Sequence, residues 1–82
     1  MPDAGSLKDK RQITKSIKDR LRSKFNASIA EIGYLDKWQR AALGITLIGN
    51  NKLKLSRDIA AIETLLIGYT DVSVSQFRTE WL

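Results

Sequence analysis

The chain has 82 residues, a net charge of +5, no cysteine and no histidine. This composition excludes disulfides and thiolate chemistry, and it excludes catalysis or metal binding by imidazole. A chain of this length forms one small domain with a limited core, so we expect marginal stability.

The first helix is predicted over residues 7–24. Ser6 is a suitable N-cap, and the carboxylate of Asp9 follows three residues later. At 100° per residue, the apolar side chains of this segment fall on one face of the helix. They are Ile13, Ile17, Leu21 and Phe25.

The opposite face of this helix carries the positive charge. Residues 7–25 hold eight Lys/Arg against two Asp, a local charge of +6, whereas residues 26–82 sum to zero. Five of the cations recur at spacings of three and four, which aligns them along the helix. We call them the basic row: Lys8, Arg11, Lys15, Lys18 and Arg22. Three others are predicted to cover apolar surface with their stems while their charges reach water: Lys10, Arg20 and Lys24.

Two strands are predicted next. Residues 27–32 are rich in small or β-branched side chains, and a loop at residues 33–37 separates them from residues 39–48. In the second strand, one alternating set is predicted to face the helices: Ala41, Leu43, Ile45 and Leu47. The other set is predicted to face outward: Arg40, Ala42, Gly44 and Thr46.

A second helix and a last strand complete the predicted elements. Asn51 is a suitable N-cap, apolar residues follow at helical spacing, and Gly68 is the predicted stop. Residues 72–77 are predicted to form a strand that runs toward Trp81. The order helix, strand, strand, helix, strand predicts an α+β fold, a ferredoxin-like plait that lacks its first strand. That strand is central in the complete plait, so its absence leaves backbone groups unpaired on two neighbours.

Several blocks of the chain resemble the YlxP-like family of bacterial proteins, a family of unknown function. These blocks occur in order, at residues 6–11, 20–22, 25–31, 38–41, 43–45 and 80–82. The resemblance covers nearly the whole chain and implies a ferredoxin-like domain without known catalytic activity. It also implies a gene near those for translation initiation, transcription elongation and ribosome maturation, which favours RNA as a partner.

The start of the chain departs from the family pattern. Relatives carry an apolar strand of roughly ten residues before the segment that matches residues 2–6. We therefore expect that residues 1–82 are a single domain without its N-terminal strand, and that the natural product begins upstream of Met1. If Met1 is the natural start, the gap is filled by pairing of the second and last strands of this chain or by a strand of another chain.

Two functions from different classes are predicted. The first is an RNA- or ribosome-associated accessory protein whose basic row binds phosphates with little sequence specificity. The alternative is a structural module without nucleic-acid binding that dimerises or assembles through its sheet. The strand at residues 39–48 has no aromatic side chain, so the sheet face is a poor platform for bases. A solvated helix face remains the competing interpretation of the basic row.

Trp38 and Arg40 are the candidates for contact with a partner, because one is a large apolar ring system and the other a planar fork of five donors. The competing interpretation is that Trp38 closes the edge of the core and that Arg40 pairs with Glu31 on the neighbouring strand. Phe77 and Trp81 are predicted to pack.

No catalytic residue, metal ligand or cofactor-binding residue is predicted. The sequence has no nucleophile beside a base and no phosphate-binding glycine loop. The longest apolar stretch, residues 41–48, is far shorter than the roughly 20 residues of a membrane helix. We expect a cytoplasmic protein that is not an enzyme and has no cofactor, no small-molecule substrate and no membrane partner.

Overall fold

Two helices and a two-stranded sheet make up the described part of the fold. A computed structural model of the chain describes residues 5–69 and 72–82. Within them the order is α1 (Leu7–Lys24), β1 (Ala27–Gly33), β2 (Ala42–Leu47) and α2 (Lys52–Ile67). The predicted α+β class and the order of its first four elements are confirmed. The expectation about the chain's start concerns residues that lie outside the described ranges.

Both helices begin at the predicted caps. The Ser6 hydroxyl accepts a hydrogen bond of 3.2 Å from the backbone N–H of Asp9, and the Asn51 side chain accepts one of 3.1 Å from the N–H of Lys54. The second helix ends at Gly68, which is its C-cap. Each N-cap satisfies a backbone donor that the first turn leaves unpaired, so short local signals set where the helices begin.

The two strands pair antiparallel, with Ile29 opposite Ile45 and Ala30 opposite Gly44. Three members of the predicted inward set are confirmed, because Leu43, Ile45 and Leu47 of β2 pack against the core. The fourth, Ala41, lies just before β2 and is half-buried. On the outer face, a Cβ at position 44 would lie 3.1 Å from Ile32 Cγ2. The glycine therefore lets the Ile32 side chain lie across β2.

The core lies between the sheet and the two helices. Its buried residues are Ile17, Leu21, Ile29, Ile62 and Leu66, and Ile13 and Phe25 pack against them half-buried. The predicted apolar face of α1 is therefore confirmed.

The predicted last strand is wrong. Residues 72–82 contain no strand, and the sheet of the described residues consists of β1 and β2 alone. Alternating apolar residues form a strand only where a neighbouring strand supplies backbone partners. The segment instead lies along an open cavity of about 1040 Å³ that Ile17, Ile45 and Ile62 also line. Phe77 and Trp81 line this cavity and remain partly exposed, so they are not core residues.

Candidate nucleic-acid interface

The basic row lies along the side of α1 that faces away from the core. Its first and last members, Lys8 and Arg22, are 14 residues apart, which corresponds to about 21 Å of helix axis. Four of the five side chains are exposed and Lys18 is half-buried. The buried residues Ile17 and Leu21 lie on the other side of the helix, so the predicted separation of a basic face from an apolar face is present.

Lys8 and Arg11 form the N-terminal end of the basic row. Both side chains are exposed. The ion pairs and side-chain hydrogen bonds of residues 5–69 and 72–82 involve neither of these two charged groups, and the same is true of Lys18. None of these three charged groups is therefore held in an ion pair by the part of the fold that the structure describes.

Lys15 has an acidic neighbour within the row. Its Nζ lies 2.8 Å from Oδ2 of Asp19, one helical turn away, and both side chains are exposed. The hydrogen bond from Lys15 lowers the pKa of Asp19, and the charges of Lys15, Arg22 and Lys18 lower it further, although desolvation acts in the opposite direction. An exposed pair of this kind is weak, because water and salt screen it.

Arg22, at the other end of the row, contacts its own fold. One nitrogen of its guanidinium donates a hydrogen bond of 3.4 Å to the carbonyl oxygen of Ile29 in β1. A guanidinium has five N–H donors, so this single long contact leaves most of them for other acceptors.

Lys10 corrects the prediction that its charge reaches water. The side chain is only 1% exposed. Its Nζ lies 2.6 Å from Oε2 of Glu31, and it donates hydrogen bonds of 2.5 and 2.6 Å to the carbonyl oxygens of Tyr34 and Lys37. The ammonium group is buried because a carboxylate and two carbonyls replace its water, which is the condition for burying a charge.

The sequence contained a signal for this pair that was missed. Lys10 falls next to the apolar face of α1, and Glu31 has the same strand parity as the buried Ile29. Two opposite charges, each on an inward-facing position of adjacent elements, are expected to meet.

The loop between β1 and β2 is fixed by these contacts. Tyr34 adopts a positive φ of 58°, a left-handed conformation that is uncommon for a residue other than glycine. The N–H of Lys37 donates a hydrogen bond of 3.0 Å to the Tyr34 carbonyl, which also accepts from Lys10. The loop therefore has a defined, strained turn that a buried ammonium group holds in place.

The competing interpretation of Trp38 and Arg40 is wrong. Arg40 does not pair with Glu31, because the Glu31 carboxylate pairs with Lys10 and the ion pairs of the described residues do not include Arg40. Its guanidinium carbon instead lies 4.9 Å from the centroid of the Tyr34 ring. Trp38 is 41% exposed and does not close the core. Partner contact through Trp38 and Arg40 stays a prediction.

The comparisons with known proteins agree with this chain's resemblance to the YlxP-like family. Residues 1–79 match the profile of the family described as "Protein of unknown function (DUF503)". The chain belongs to this family. It is 38% identical over 79 residues to the "Uncharacterized protein YlxP" of Bacillus subtilis (strain 168), which covers 96% of this chain and 86% of that protein.

Two further findings concern solved structures similar to this chain and the ability of its helices to cross a membrane. No solved structure matches the chain significantly. Among the described residues, neither helix has the length and apolar character needed to cross a bilayer.

Proposed function

We propose that this protein is an RNA- or ribosome-associated accessory protein that binds backbone phosphates through the basic row. The observation that carries the proposal is the alignment of this charge along the solvent side of α1. There, Lys8, Arg11 and Lys18 form no ion pair with residues 5–69 and 72–82. Family membership supplies no activity, because the family and the relative are both described as uncharacterised.

The length of the basic row is suited to binding the backbone of a nucleic acid. A length of about 21 Å extends past several consecutive phosphates of a nucleic-acid strand. The contacts of Lys15 and Arg22 within the fold are exposed or long, so phosphates can replace them. Neutralising about five phosphates gives a log–log salt slope of about −3.5 on single strands and about −4.5 on duplex DNA. Such contacts position a partner without reading its bases.

A binding role is proposed rather than catalysis. Lys10 and Glu31 form an ion pair inside the fold, and the Lys10 side chain is only 1% exposed. A general acid or base must reach the substrate, and this ammonium group does not reach the surface.

The test compares two triple variants with the same change in net charge. The first removes three cations of the basic row: Lys8→Gln, Arg11→Gln and Lys18→Gln. The control removes three exposed cations elsewhere: Lys54→Gln, Arg57→Gln and Arg78→Gln. Binding to ribosomes and to a structured RNA is measured at several salt concentrations for both variants and for the wild type.

We expect the row variant to lose affinity and to flatten the salt slope by about 2 on single strands, because three phosphate contacts are lost. The control variant is expected to retain the slope of the wild type. Equal losses of affinity in the two variants would mean that binding depends on net charge and not on the basic row. Binding that does not respond to salt would refute the proposal.

A second candidate function is favoured by the outer face of the sheet. Ile32 is 68% exposed and Ile48 is 84% exposed, and Gly44 lets Ile32 lie flat across this face. Exposed apolar side chains of this kind favour a structural module that dimerises through its sheet. Sedimentation equilibrium of the wild type and of Ile32→Lys tests it. A concentration-dependent dimer that the substitution disrupts supports this function, and a monomer in both proteins excludes it.

A further inference from the structure

The loop between β1 and β2 exposes residue types that are common at binding sites. Tyr34 is 47% exposed, Trp38 is 41% exposed and Arg40 is exposed. Tyr, Trp and Arg contribute most often to the energy of molecular interfaces. We call these three residues the aromatic loop.

The conformation of the aromatic loop is imposed from inside the fold. The buried Lys10 ammonium binds two carbonyl oxygens of the loop, those of Tyr34 and Lys37, while Glu31 balances its charge. Tyr34 is held in a left-handed conformation. These contacts fix the backbone of the loop that carries the exposed Trp38 and Arg40 side chains.

The aromatic loop adjoins the N-terminal end of the basic row. Lys10 reaches the loop from the first turns of α1, where Lys8 and Arg11 are its close neighbours on the helix. These two residues carry exposed charges without ion pairs among the described residues. The loop backbone therefore contacts the same first turns of α1 that carry Lys8 and Arg11 on their exposed side.

We propose that the aromatic loop stacks an unpaired base of the same RNA whose phosphates the basic row binds. This inference rests on the proposed function and specifies its partner as RNA with single-stranded nucleotides. Bases stack on indole rings and on guanidinium planes. Trp38 provides the first kind of surface. Arg40, which lies 4.9 Å from the centroid of the Tyr34 ring, provides the second.

The combination favours single strands over duplexes. Paired bases are already stacked on each other, whereas an unpaired base has a free π face. Stacking of this kind tolerates any base, so the interaction remains nearly independent of sequence. The base-binding surface that the outer face of the sheet lacks is thus supplied by the aromatic loop.

Lys10 acts in this proposal as a positioning residue. It is buried and does not touch the RNA, but its bonds to the Tyr34 and Lys37 carbonyls fix the loop that carries Trp38 and Arg40. Replacing the ion pair by apolar residues, Lys10→Met with Glu31→Leu, removes the restraint on the loop without leaving a buried charge unpaired.

The experiment separates base stacking from phosphate binding. The probes are an oligouridylate of about 12 nucleotides and an abasic ribose-phosphate oligomer of the same length and charge. Binding is followed by the fluorescence of Trp38 in a Trp81→Phe background, which leaves a single tryptophan. The affinities of both probes are also measured for Trp38→Leu and for Trp81→Leu. The second variant is a control, because it removes a tryptophan outside the loop that is 48% exposed, against 41% for Trp38.

We expect the oligouridylate to quench Trp38 fluorescence and to bind more tightly than the abasic oligomer. Trp38→Leu should reduce oligouridylate affinity about 5- to 100-fold and leave the abasic oligomer unchanged, because only one probe carries bases. Trp81→Leu should affect neither probe. The variant Lys10→Met/Glu31→Leu should lose the preference for oligouridylate while it retains the affinity for the abasic oligomer.

Two outcomes overturn the inference, and the binding of the abasic oligomer distinguishes them. If both probes bind equally and Trp38→Leu changes neither affinity, the basic row binds phosphates but the aromatic loop serves another partner, such as a protein. If neither probe binds, the proposed function fails together with this inference.

Discussion

Lys10 and Arg11 are neighbours in the sequence, yet they belong to two different regions of the molecule. Lys10 is buried against Glu31 and two loop carbonyls, whereas Arg11 is an exposed member of the basic row. A rotation of 100° about the helix axis separates the two environments. The number of cations on a helix therefore exceeds the number available to bind a partner, since the Lys10 charge is paired inside the fold.

The charges of the two regions also differ in hydration and in their contribution to folding. A buried ion pair has lost its water, so its members depend on each other. The charges of the basic row remain hydrated and screened by salt, so each contributes little to folding and remains available for binding.

The largest effect is expected for Lys10→Met. The substitution leaves the Glu31 carboxylate buried without its partner, and we expect the free energy of unfolding to fall by about 3 kcal/mol or more. The matched substitution Arg11→Met, one residue further along α1, should change it by less than about 0.5 kcal/mol. Urea denaturation measures both. Similar losses of unfolding free energy in the two variants would show that Lys10 contributes no more to stability than Arg11.

The double variant Lys10→Met/Glu31→Leu tests whether the loss in Lys10→Met comes from the unpaired Glu31 carboxylate. Two apolar side chains fill the site without a buried charge, so most of the stability lost in Lys10→Met should return. The double-mutant cycle from urea denaturation, completed with Glu31→Leu, gives the coupling energy between the two positions. Additive losses would mean that the two side chains act independently.

A smaller effect is expected from the row variant Lys8→Gln/Arg11→Gln/Lys18→Gln. Its cations have no acidic partner within the described residues, so the free energy of unfolding should stay within about 1 kcal/mol of the wild type. Thermal and urea denaturation test this. A large loss of stability would assign the row to folding rather than to binding.

The smallest effect concerns Asp19, the acidic residue inside the basic row. Its pKa is lowered in the folded protein, first by the hydrogen bond from Lys15. The associated stability is therefore present above the ordinary value of 3.8 and is lost as the pH falls through the lower folded value. Wild type and Asp19→Asn should differ slightly in urea midpoint at neutral pH and converge in strong acid. A difference that grows on acidification contradicts this account.

Local signals made much of the fold predictable from the sequence. A cap and a 3.6-residue period predict α1 at residues 7–24, and the structure has the same bounds. The inward set of β2 followed from simple alternation. The last strand was predicted wrongly, since alternation at residues 72–77 says nothing about whether a neighbouring strand is available.

The candidate site was predictable only in part. The basic row follows from helical periodicity, which is a local property. The burial of Lys10 depends on Glu31, which is 21 positions away in the chain, and the stacking of Arg40 on Tyr34 depends on a turn with positive φ. Such contacts between distant or strained residues require the folded geometry.

The most direct test of the account is a titration of uniformly ¹⁵N-labelled protein with a single-stranded oligoribonucleotide, followed by amide chemical shifts. We predict the largest shifts along the exposed side of α1, at Lys8, Arg11 and Lys18, and in the loop at residues 34–40, with small shifts in α2. They should diminish as salt is added. Shifts confined to the outer face of the sheet, or no shifts at low salt, would contradict the claim that the basic row binds RNA.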